Sequence, residues 1–356
     1  MEDLVNPSFW AGKRVFITGH TGFKGSWLCL WLSTLGARVS GYALAPSTTP
    51  NLFEAAAVAQ GLAQHTLGDI RDPAALRAAL AQAQPDLVLH LAAQPLVPRS
   101  YEDPLETWST NVMGTAQVLE AVRQQAGVRA VLVVSSDKCY ENREWAWGYR
   151  ESDPMGGHDP YSASKGATEL VVASYRRSFL AAQGIALGSA RAGNVIGGGD
   201  WTPTRLVPDV LAAFAAGRPV TLRQPGAIRP WQHVLEPLRG YLALAQKLYE
   251  EGPPWAEGWN FGPQPSDART VAWVVGQLAQ AWGPDAAWAV ESGAQAHEAH
   301  TLKLDCSQAH SRLGWQPRWS AATALQHTLS WYRAWQAGAD MRQHSLAQIN
   351  EFESAA

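Results

Sequence analysis

The chain has few cysteines, no excess of basic charge and no long apolar run, and each shortage excludes a class of protein. Its 356 residues include three cysteines, which lie far apart at Cys29, Cys139 and Cys306. This spacing matches neither a disulfide framework nor a zinc site, and it suits a reducing compartment. The net charge of -3 gives no basic footprint for nucleic acid.

Signals for export or for a membrane are also missing. The first residues contain no positive segment followed by an apolar core, so we expect no signal peptide. No uncharged apolar stretch reaches the roughly 18 residues that a membrane-spanning helix needs. Because 46% of the residues are hydrophobic, the chain can bury a large core, and we expect a cytoplasmic protein.

Short apolar strands alternate with helices through the first half of the chain. Strands are predicted at 13–18, 38–44, 64–67, 86–91, 130–134 and 185–190, and helices at 26–35, 73–83, 105–123 and from about residue 161. Apolar runs are typical of strands covered on both faces, and repeated βα units build a parallel sheet. The pattern predicts an α/β fold, with a Rossmann-type, doubly wound parallel sheet in residues 1–194.

After residue 194 the pattern changes. A glycine-rich loop at 197–203 precedes short strand signals at 220–223 and 259–261, which mix with helices. We interpret residues 195–356 as mainly a smaller C-terminal α/β domain for the substrate, with segments near 230–255 and 300–315 packing back on the first domain. Ligands of such sheets bind at the carboxyl ends of the strands, so the loops there should converge on one cleft.

A glycine-rich turn joins the first predicted strand to the first long helix. It reads Gly-His-Thr-Gly-Phe-Lys-Gly at residues 19–25. Glycines allow a tight turn and a close approach of the backbone to a pyrophosphate, while the helix N-terminus offers free N–H groups to the anion. Its position between strand and helix favours a dinucleotide site over an ordinary turn.

A second motif combines residues from two segments. Tyr161 and Lys165 are four residues apart and share one face of a helix, while Ser136, Asp137 and Lys138 follow a predicted strand. An ammonium near a phenol favours the phenolate and lowers the tyrosine pKa toward neutrality. Such a tyrosine can take a proton from a sugar hydroxyl while a nicotinamide takes a hydride. The Tyr-Lys spacing alone is common on ordinary helices, but here it accompanies the glycine-rich turn.

Together the two motifs resemble those of the extended short-chain dehydrogenase/reductase family, and the resemblance covers nearly the whole chain. More specific strings, which begin at Gly19, Ser136, Arg229 and Lys303, are similar to those of the CDP-glucose 4,6-dehydratases in that family. The pair Asp137–Lys138 is the most specific of these. Related dTDP-glucose dehydratases carry Asp-Glu there, and epimerases lack the acidic pair.

The resemblance implies catalytic roles for five residues. Tyr161 would be the base at O4 of the sugar, tuned by Lys165, and Ser136 would hydrogen-bond O4. Asp137 would be the acid at O6, with a pKa raised by burial, unless it is a strand-end carboxylate paired with Lys138. Lys138 stands where relatives carry the base for C5; it is either that base, if kept partly neutral, or a partner of Asp137.

The resemblance also implies residues that bind ligands. Contacts with NAD are expected from Gly19, Thr21, Gly22, Phe23, Lys24, Gly25, Asp69, Ile70, Leu91, Ala92, Ala93, Gln94 and Asn111, as well as Tyr161 and Lys165. Contacts with the substrate are expected from Asn194, Arg205, Arg229, Asn260 and His300, with Arg229 on the diphosphate. No metal is expected.

Several alternatives stay open from the sequence. The choice of NAD over NADP follows from the resemblance alone, because the second strand does not end in an acidic residue that could bind the ribose hydroxyls. The hydroxyl of Ser47 or Thr48 could take the place of that carboxylate. A nucleotide-sugar 4-epimerase would need Tyr161 and Lys165 but not Asp137, and a non-catalytic dinucleotide sensor would need none of them. A dehydratase for another nucleotide-sugar is a further alternative, since single residues do not reveal which nucleobase the protein binds. The resemblance implies a homodimer that binds CDP-glucose, without nucleic acid or membrane partners.

Overall fold

The computed structural model describes residues 4–290 and 301–355. Its strands are β1 (Arg14–Thr18), β2 (Arg38–Ala43), β3 (Gln64–Leu67), β4 (Leu87–His90), β5 (Ala130–Val134), β6 (Ala186–Ala192), β7 (Val195–Ile196), β8 (Val220–Leu222), β9 (Ile228–Pro230), β10 (Gln232–His233), β11 (Gly258–Phe261), β12 (Ala268–Thr270) and β13 (Trp288–Val290). Seven of them form one parallel sheet in the order β11-β6-β5-β4-β1-β2-β3. The strand order reverses between β1 and β4, and this switch point places a crevice at their carboxyl ends.

Helices cover both faces of this sheet. They are α1 (Pro7–Trp10), α2 (Phe23–Thr34), α3 (Leu52–Ala55), α4 (Pro73–Ala83), α5 (Val97–Glu102), α6 (Pro104–Trp108), α7 (Gly114–Gln124), α8 (Pro160–Tyr175), α9 (Leu206–Ala215), α10 (Leu235–Glu250), α11 (Val271–Trp282), α12 (Ala321–Gln336) and α13 (Met341–Ser354). Among the described residues, no helix is long and apolar enough to cross a membrane.

The strands are apolar because both of their faces are buried. Along β1, Ile17 packs into the cluster that holds α2, α10 and the C-terminal helices, while Phe16 faces the cluster formed by α4 and α7. Leu89 and Val88 of β4 alternate in the same way. This double coverage confirms the predicted doubly wound parallel sheet.

The second half of the chain contributes both to the central sheet and to smaller sheets. Strands β9 and β12 pair antiparallel outside the seven-stranded sheet, and α11 packs on both β12 and α9. Helix α10 packs on β5 and β6 instead. The strand predicted at 259–261 also belongs to the central sheet, because β11 pairs with β6 and buries Trp259 and Phe261 completely. The domain boundary at residue 194 stays a prediction.

Candidate active site

The glycine-rich loop lies against the end of β4, and it has no room for a side chain at Gly19 or Gly25. Gly19 has φ +80°, and a Cβ there would be 2.7 Å from the backbone N of Ala92. A Cβ on Gly25 would be 2.1 Å from the carbonyl O of Gly19. Gly22 is the N-cap of α2 and forms no side-chain cap, so the first N–H groups of the helix can bind an anion. This cradle fits the pyrophosphate of a dinucleotide.

The other walls of the cradle come from the ends of β2 and β4. The hydroxyl of Thr21 donates to the carbonyl of Leu44 (2.8 Å) and so ties the loop to β2. Leu91, Ala92 and Ala93 follow β4 and are partly exposed. Behind them, the Asn111 carboxamide accepts from the backbone N of Gln94 (2.8 Å) and donates to Ser164 Oγ (2.9 Å). The Asn111 side chain therefore supports the wall, whereas the sequence predicted a cofactor contact.

The residues predicted to lie near the adenine make contacts mainly within the protein. Asp69 follows β3 and pairs with Arg71 at 2.6 Å, and hydrogen bonds from Arg71 lower the pKa of its carboxyl. Ile70 is buried and packs close to Gly114. Of the two hydroxyls that could replace an acid after β2, that of Thr48 donates to the carbonyl of Pro50. The adenine contact of Asp69 stays a prediction.

His20 is a loop residue to which the sequence assigned no role. Its ring is fully buried under the loop, where Nε2 lies 2.7 Å from Nδ1 of His65. Burial lowers the pKa of His20 to about 4, so the ring is neutral at neutral pH. A Cβ on Gly41 would be 2.4 Å from this ring, which explains the glycine within β2.

The segment after β5 places Ser136 and Asp137 at the centre of the crevice. Ser136 Oγ accepts from the backbone N of Lys138 (3.2 Å) and donates to Asp137 Oδ1 (3.0 Å). Asp137 is only 3% exposed, and within the described residues its Oδ2 has no hydrogen-bond partner. Burial raises the pKa of this carboxyl, although Lys138 opposes the shift. Burial therefore favours the protonated form of Asp137, and its role as the acid at O6 stays a prediction.

The capped start of α8 positions Tyr161 and Lys165. Asp159 is its N-cap and accepts from the backbone N of Ser162 (2.9 Å), with a proline at the first helical position. Tyr161 and Lys165 are both buried. Burial raises the pKa of Tyr161 to about 12, although a hydrogen bond with Ser136 opposes the shift, and burial lowers the pKa of Lys165 to about 8. The expected lowering of the tyrosine pKa toward neutrality is therefore not seen, because burial of the phenol outweighs its favourable contacts.

A glycine-rich loop at residues 197–200 closes the crevice from the C-terminal side. Trp27 Nε1 donates to the carbonyl of Gly198 (2.9 Å), so this loop is held on α2. Asp200 is buried and pairs with Arg205 at 3.3 Å. Desolvation lowers the pKa of Lys24 to about 7, and the charges of Arg205 and Asp137 also act on it. Asp200 of this loop thus holds Arg205 close enough for its charge to act on Lys24, in the first turn of α2.

The predicted substrate residues divide into two groups. Arg229 is buried on β9, and its charge opposes the rise in the pKa of Asp137 that burial causes. Asn194 is partly exposed after β6. Asn260 is fully buried, and its carboxamide accepts from the Tyr140 hydroxyl (2.7 Å) and donates to two backbone carbonyls. The structure therefore places Asn260 in the protein framework and not in the crevice, and His300 lies outside the described residues.

Comparison with known proteins agrees with this geometry. The model of the GDP-mannose 4,6 dehydratase family matches residues 16–328. The chain belongs to this family. It is 53% identical to the CDP-glucose 4,6-dehydratase of Salmonella typhimurium strain LT2, over 99% of each chain. It is 28% identical to the dTDP-glucose 4,6-dehydratase of Xanthomonas campestris pv. campestris, over 89% of this chain and 92% of that protein.

Two solved structures with NAD bound have the same fold. The dTDP-glucose 4,6-dehydratase DesIV from Streptomyces venezuelae, with NAD bound, is 26% identical with a TM-score of 0.76, over 92% of this chain and 99% of that one. MoeE5, in complex with UDP-glucose and NAD, is 26% identical with a TM-score of 0.75, over 90% and 99% of the two chains. Proteins with the fold of this chain therefore bind NAD, and the crevice described above is compatible with that cofactor.

Proposed function

We propose that the chain is an NAD-dependent lyase that converts CDP-glucose to CDP-4-keto-6-deoxy-glucose. The observation that carries the proposal is a buried Asp137 with a raised pKa, next to Ser136 and near Tyr161. A 4-epimerase has no need of an acid at O6. The 53% identity to a CDP-glucose 4,6-dehydratase over 99% of the chain supports CDP-glucose as the substrate.

The glycine cradle would hold the pyrophosphate of NAD, and Lys165 would hold the hydroxyls of the nicotinamide ribose. Bound NAD supplies a nicotinamide that accepts a hydride from C4 of the sugar and later returns it to C6. No basic residue stands at 44–50, after β2, to pair with the extra phosphate of NADP. The NAD-bound relatives support the same choice.

Oxidation at C4 requires a base at O4. Tyr161 takes this proton, and Lys165, one turn further along α8, stabilises the phenolate that forms. Ser136 donates a hydrogen bond to O4 as it becomes a carbonyl. The C4 ketone then makes the proton on C5 acidic, which prepares the sugar for elimination.

Elimination requires an acid at O6, because hydroxide is a poor leaving group. Asp137 gives its proton to O6, and water leaves across C5 and C6. The burial of Asp137 favours the protonated form that this step requires. Lys138 either takes the C5 proton or, as an ammonium, holds Asp137. The C5–H exchange of a Lys138→Met variant in heavy water separates these two roles.

The substrate diphosphate would bind arginine side chains that the C-terminal half of the chain contributes to the crevice. Arg229 lies on β9 near Asp137, and Arg205 reaches the crevice from the loop that precedes α9. Guanidinium groups form paired hydrogen bonds with phosphate oxygens. Asn194, partly exposed after β6, would contact the nucleotide.

We also infer a homodimer formed by α6, α7 and α8. Leu105, Met113, Leu170 and Phe179 are large apolar residues that are between 44% and 79% exposed on these helices and the turns that extend them. Apolar patches of this kind mark interaction surfaces. Leu105→Glu with Leu170→Glu should halve the molar mass in light scattering, while Leu67→Glu, at the other edge of the sheet, should not. A cytoplasmic location and a role in deoxysugar biosynthesis, such as that of lipopolysaccharide O-antigen, complete the proposal.

The direct test incubates the purified protein with CDP-glucose, dTDP-glucose and UDP-glucose in the presence of NAD⁺. We expect the alkaline absorbance of a 4-keto-6-deoxy product from CDP-glucose and little from the other two. A C4 epimer without deoxygenation would support the epimerase alternative. A deoxy product from another nucleotide-sugar would refute CDP-glucose as the substrate.

A further inference from the structure

A buried ion pair beneath the catalytic residues has no part in the proposed mechanism. Glu169 of α8 and Arg191 of β6 form two hydrogen bonds, from Arg191 Nη2 to Glu169 Oε2 (2.8 Å) and from Nε to Oε1 (3.0 Å). Ser189 Oγ also donates to Glu169 Oε2 (2.7 Å). Both charged residues are 5% exposed. Burying such a pair costs desolvation, and apolar residues of similar volume often stabilise a fold as well, so stability alone does not explain it.

The acidic member of this pair lies one helical turn from Lys165. Glu169 follows Lys165 by one turn on the same buried face of α8. Arg191 lies on the far side, where its Nη1 donates to the Tyr140 hydroxyl (2.7 Å) and that hydroxyl donates to Asn260 (2.7 Å). The negative partner is therefore on the helix of Lys165, and the positive partner is held by the sheet.

Two buried groups near Lys165 carry no charge. Burial raises the pKa of the Cys139 thiol far above neutrality and lowers the pKa of His90 to about 3, so both are neutral. Lys24, whose pKa desolvation lowers to about 7, repels the Lys165 ammonium when it is itself protonated. Burial opposes the charge on Lys165, and Glu169 is the largest of the groups that favour it.

We propose that Glu169 is a positioning residue that keeps the buried Lys165 side chain in its ammonium form. An ammonium removed from water is costly without a compensating charge, and Glu169 provides that charge without contacting the substrate or the cofactor. Arg191, Ser189 and the helix hold the carboxylate in place. The inference rests on the role proposed above for Lys165 in holding the cofactor ribose.

The test measures the affinity for NAD⁺ by calorimetry from neutral pH to about pH 10, after removal of bound nucleotide. A lysine that binds as an ammonium loses affinity as the pH rises through its pKa, which is about 8 for Lys165. Removal of the carboxylate charge lowers that pKa. The double variant Glu169→Gln/Arg191→Gln, which leaves no unpaired buried charge, should therefore lose affinity at a pH lower by about one unit.

Two controls separate this electrostatic role from a structural one. Ser189→Ala removes a hydrogen bond to Glu169 but no charge, so its midpoint should equal that of the wild type. Lys165→Met should abolish the loss with a midpoint near pH 8, which distinguishes Lys165 from Lys24, whose pKa is about 7. An unchanged midpoint in the double variant would overturn the inference.

The wild-type titration keeps the inference testable if the double variant does not fold. A midpoint near 8 is expected, and a midpoint below neutral pH would mean that no charge supports Lys165. The proposed function fails differently: a product other than CDP-4-keto-6-deoxy-glucose would refute it and leave the titration of NAD⁺ affinity unchanged.

Discussion

The cofactor side and the catalytic side of the crevice are built in different ways. The loop at 19–25 is shaped by backbone contacts, since Gly19 and Gly25 leave no space for a Cβ. The catalytic side is shaped by buried polar side chains, which connect α8, β6 and β11 through Glu169, Arg191 and Asn260. We conclude that steric changes should damage the first side, whereas changes of charge or hydrogen bonding should damage the second.

The largest effect is expected on the catalytic side. Tyr161→Phe removes the phenol oxygen that takes the O4 proton, so product formation should fall by roughly 10²–10⁴-fold while NAD⁺ still binds. Steady-state kinetics and calorimetry measure the two quantities. Tyr175→Phe, on the same helix, should leave both unchanged. Wild-type turnover of Tyr161→Phe would remove Tyr161 from the mechanism.

Arg229 tests whether charge also dominates binding of the substrate. Arg229→Ala removes charged hydrogen bonds to the diphosphate, worth about 1.5–3 kcal/mol, and should raise KM for CDP-glucose more than it lowers kcat. Arg269→Ala is the matched control, because Arg269 pairs with Arg229 in the β9–β12 ribbon and is exposed. An equal KM in the two variants would contradict the assignment of Arg229.

Adding a methyl group to the loop at 19–25 tests whether steric fit controls the cofactor side of the crevice. Gly25→Ala places a Cβ 2.1 Å from the carbonyl O of Gly19, so the loop must shift and NAD⁺ affinity should fall by about 10–100-fold. Gly276→Ala on α11 meets no atom within 4 Å and should bind NAD⁺ normally. Equal affinities would show that the loop tolerates side chains and that the contrast between the two sides is false.

The smallest catalytic effect is expected at Asn260. Asn260→Ala leaves the Tyr140 hydroxyl and two backbone carbonyls without their partner, which should lower the free energy of unfolding by about 1–3 kcal/mol. Denaturant titration measures this loss. KM for CDP-glucose should change little, and a large rise in KM at unchanged stability would restore Asn260 to the substrate site.

Much of the fold could be predicted because its signals are local. The strands at 64–67 and 130–134 and the helix at 73–83 have the predicted bounds. An apolar run marks the strand at 130–134, and the cap at Asp72 marks the start of the helix. The helix predicted at 105–123 is interrupted by a π-helical turn at Ser109–Met113, where Asn111 reaches Gln94 and Ser164. Such contacts join distant segments, and a single sequence does not reveal them.

The same limit applies to the site. The glycine loop and the spacing of Tyr161 and Lys165 are local patterns, and a single sequence reveals both of them. The partners of Asn260 lie up to 120 residues away, so resemblance alone suggested a substrate contact. Glu169 continues the four-residue spacing of Tyr161 and Lys165, but only its contact with Arg191 gives this spacing a meaning.

Asp137 is proposed to be the acid of the elimination step, and the variant Asp137→Asn separates that step from the oxidation at C4. The amide can hydrogen-bond O6 but cannot deliver a proton, while Tyr161 and Lys165 still allow oxidation at C4. After CDP-glucose is added to the NAD⁺-loaded variant, near-ultraviolet absorbance should show bound NADH accumulating while the 4-keto-6-deoxy product is lost. Formation of that product at the wild-type rate, without accumulation of NADH, would contradict the account.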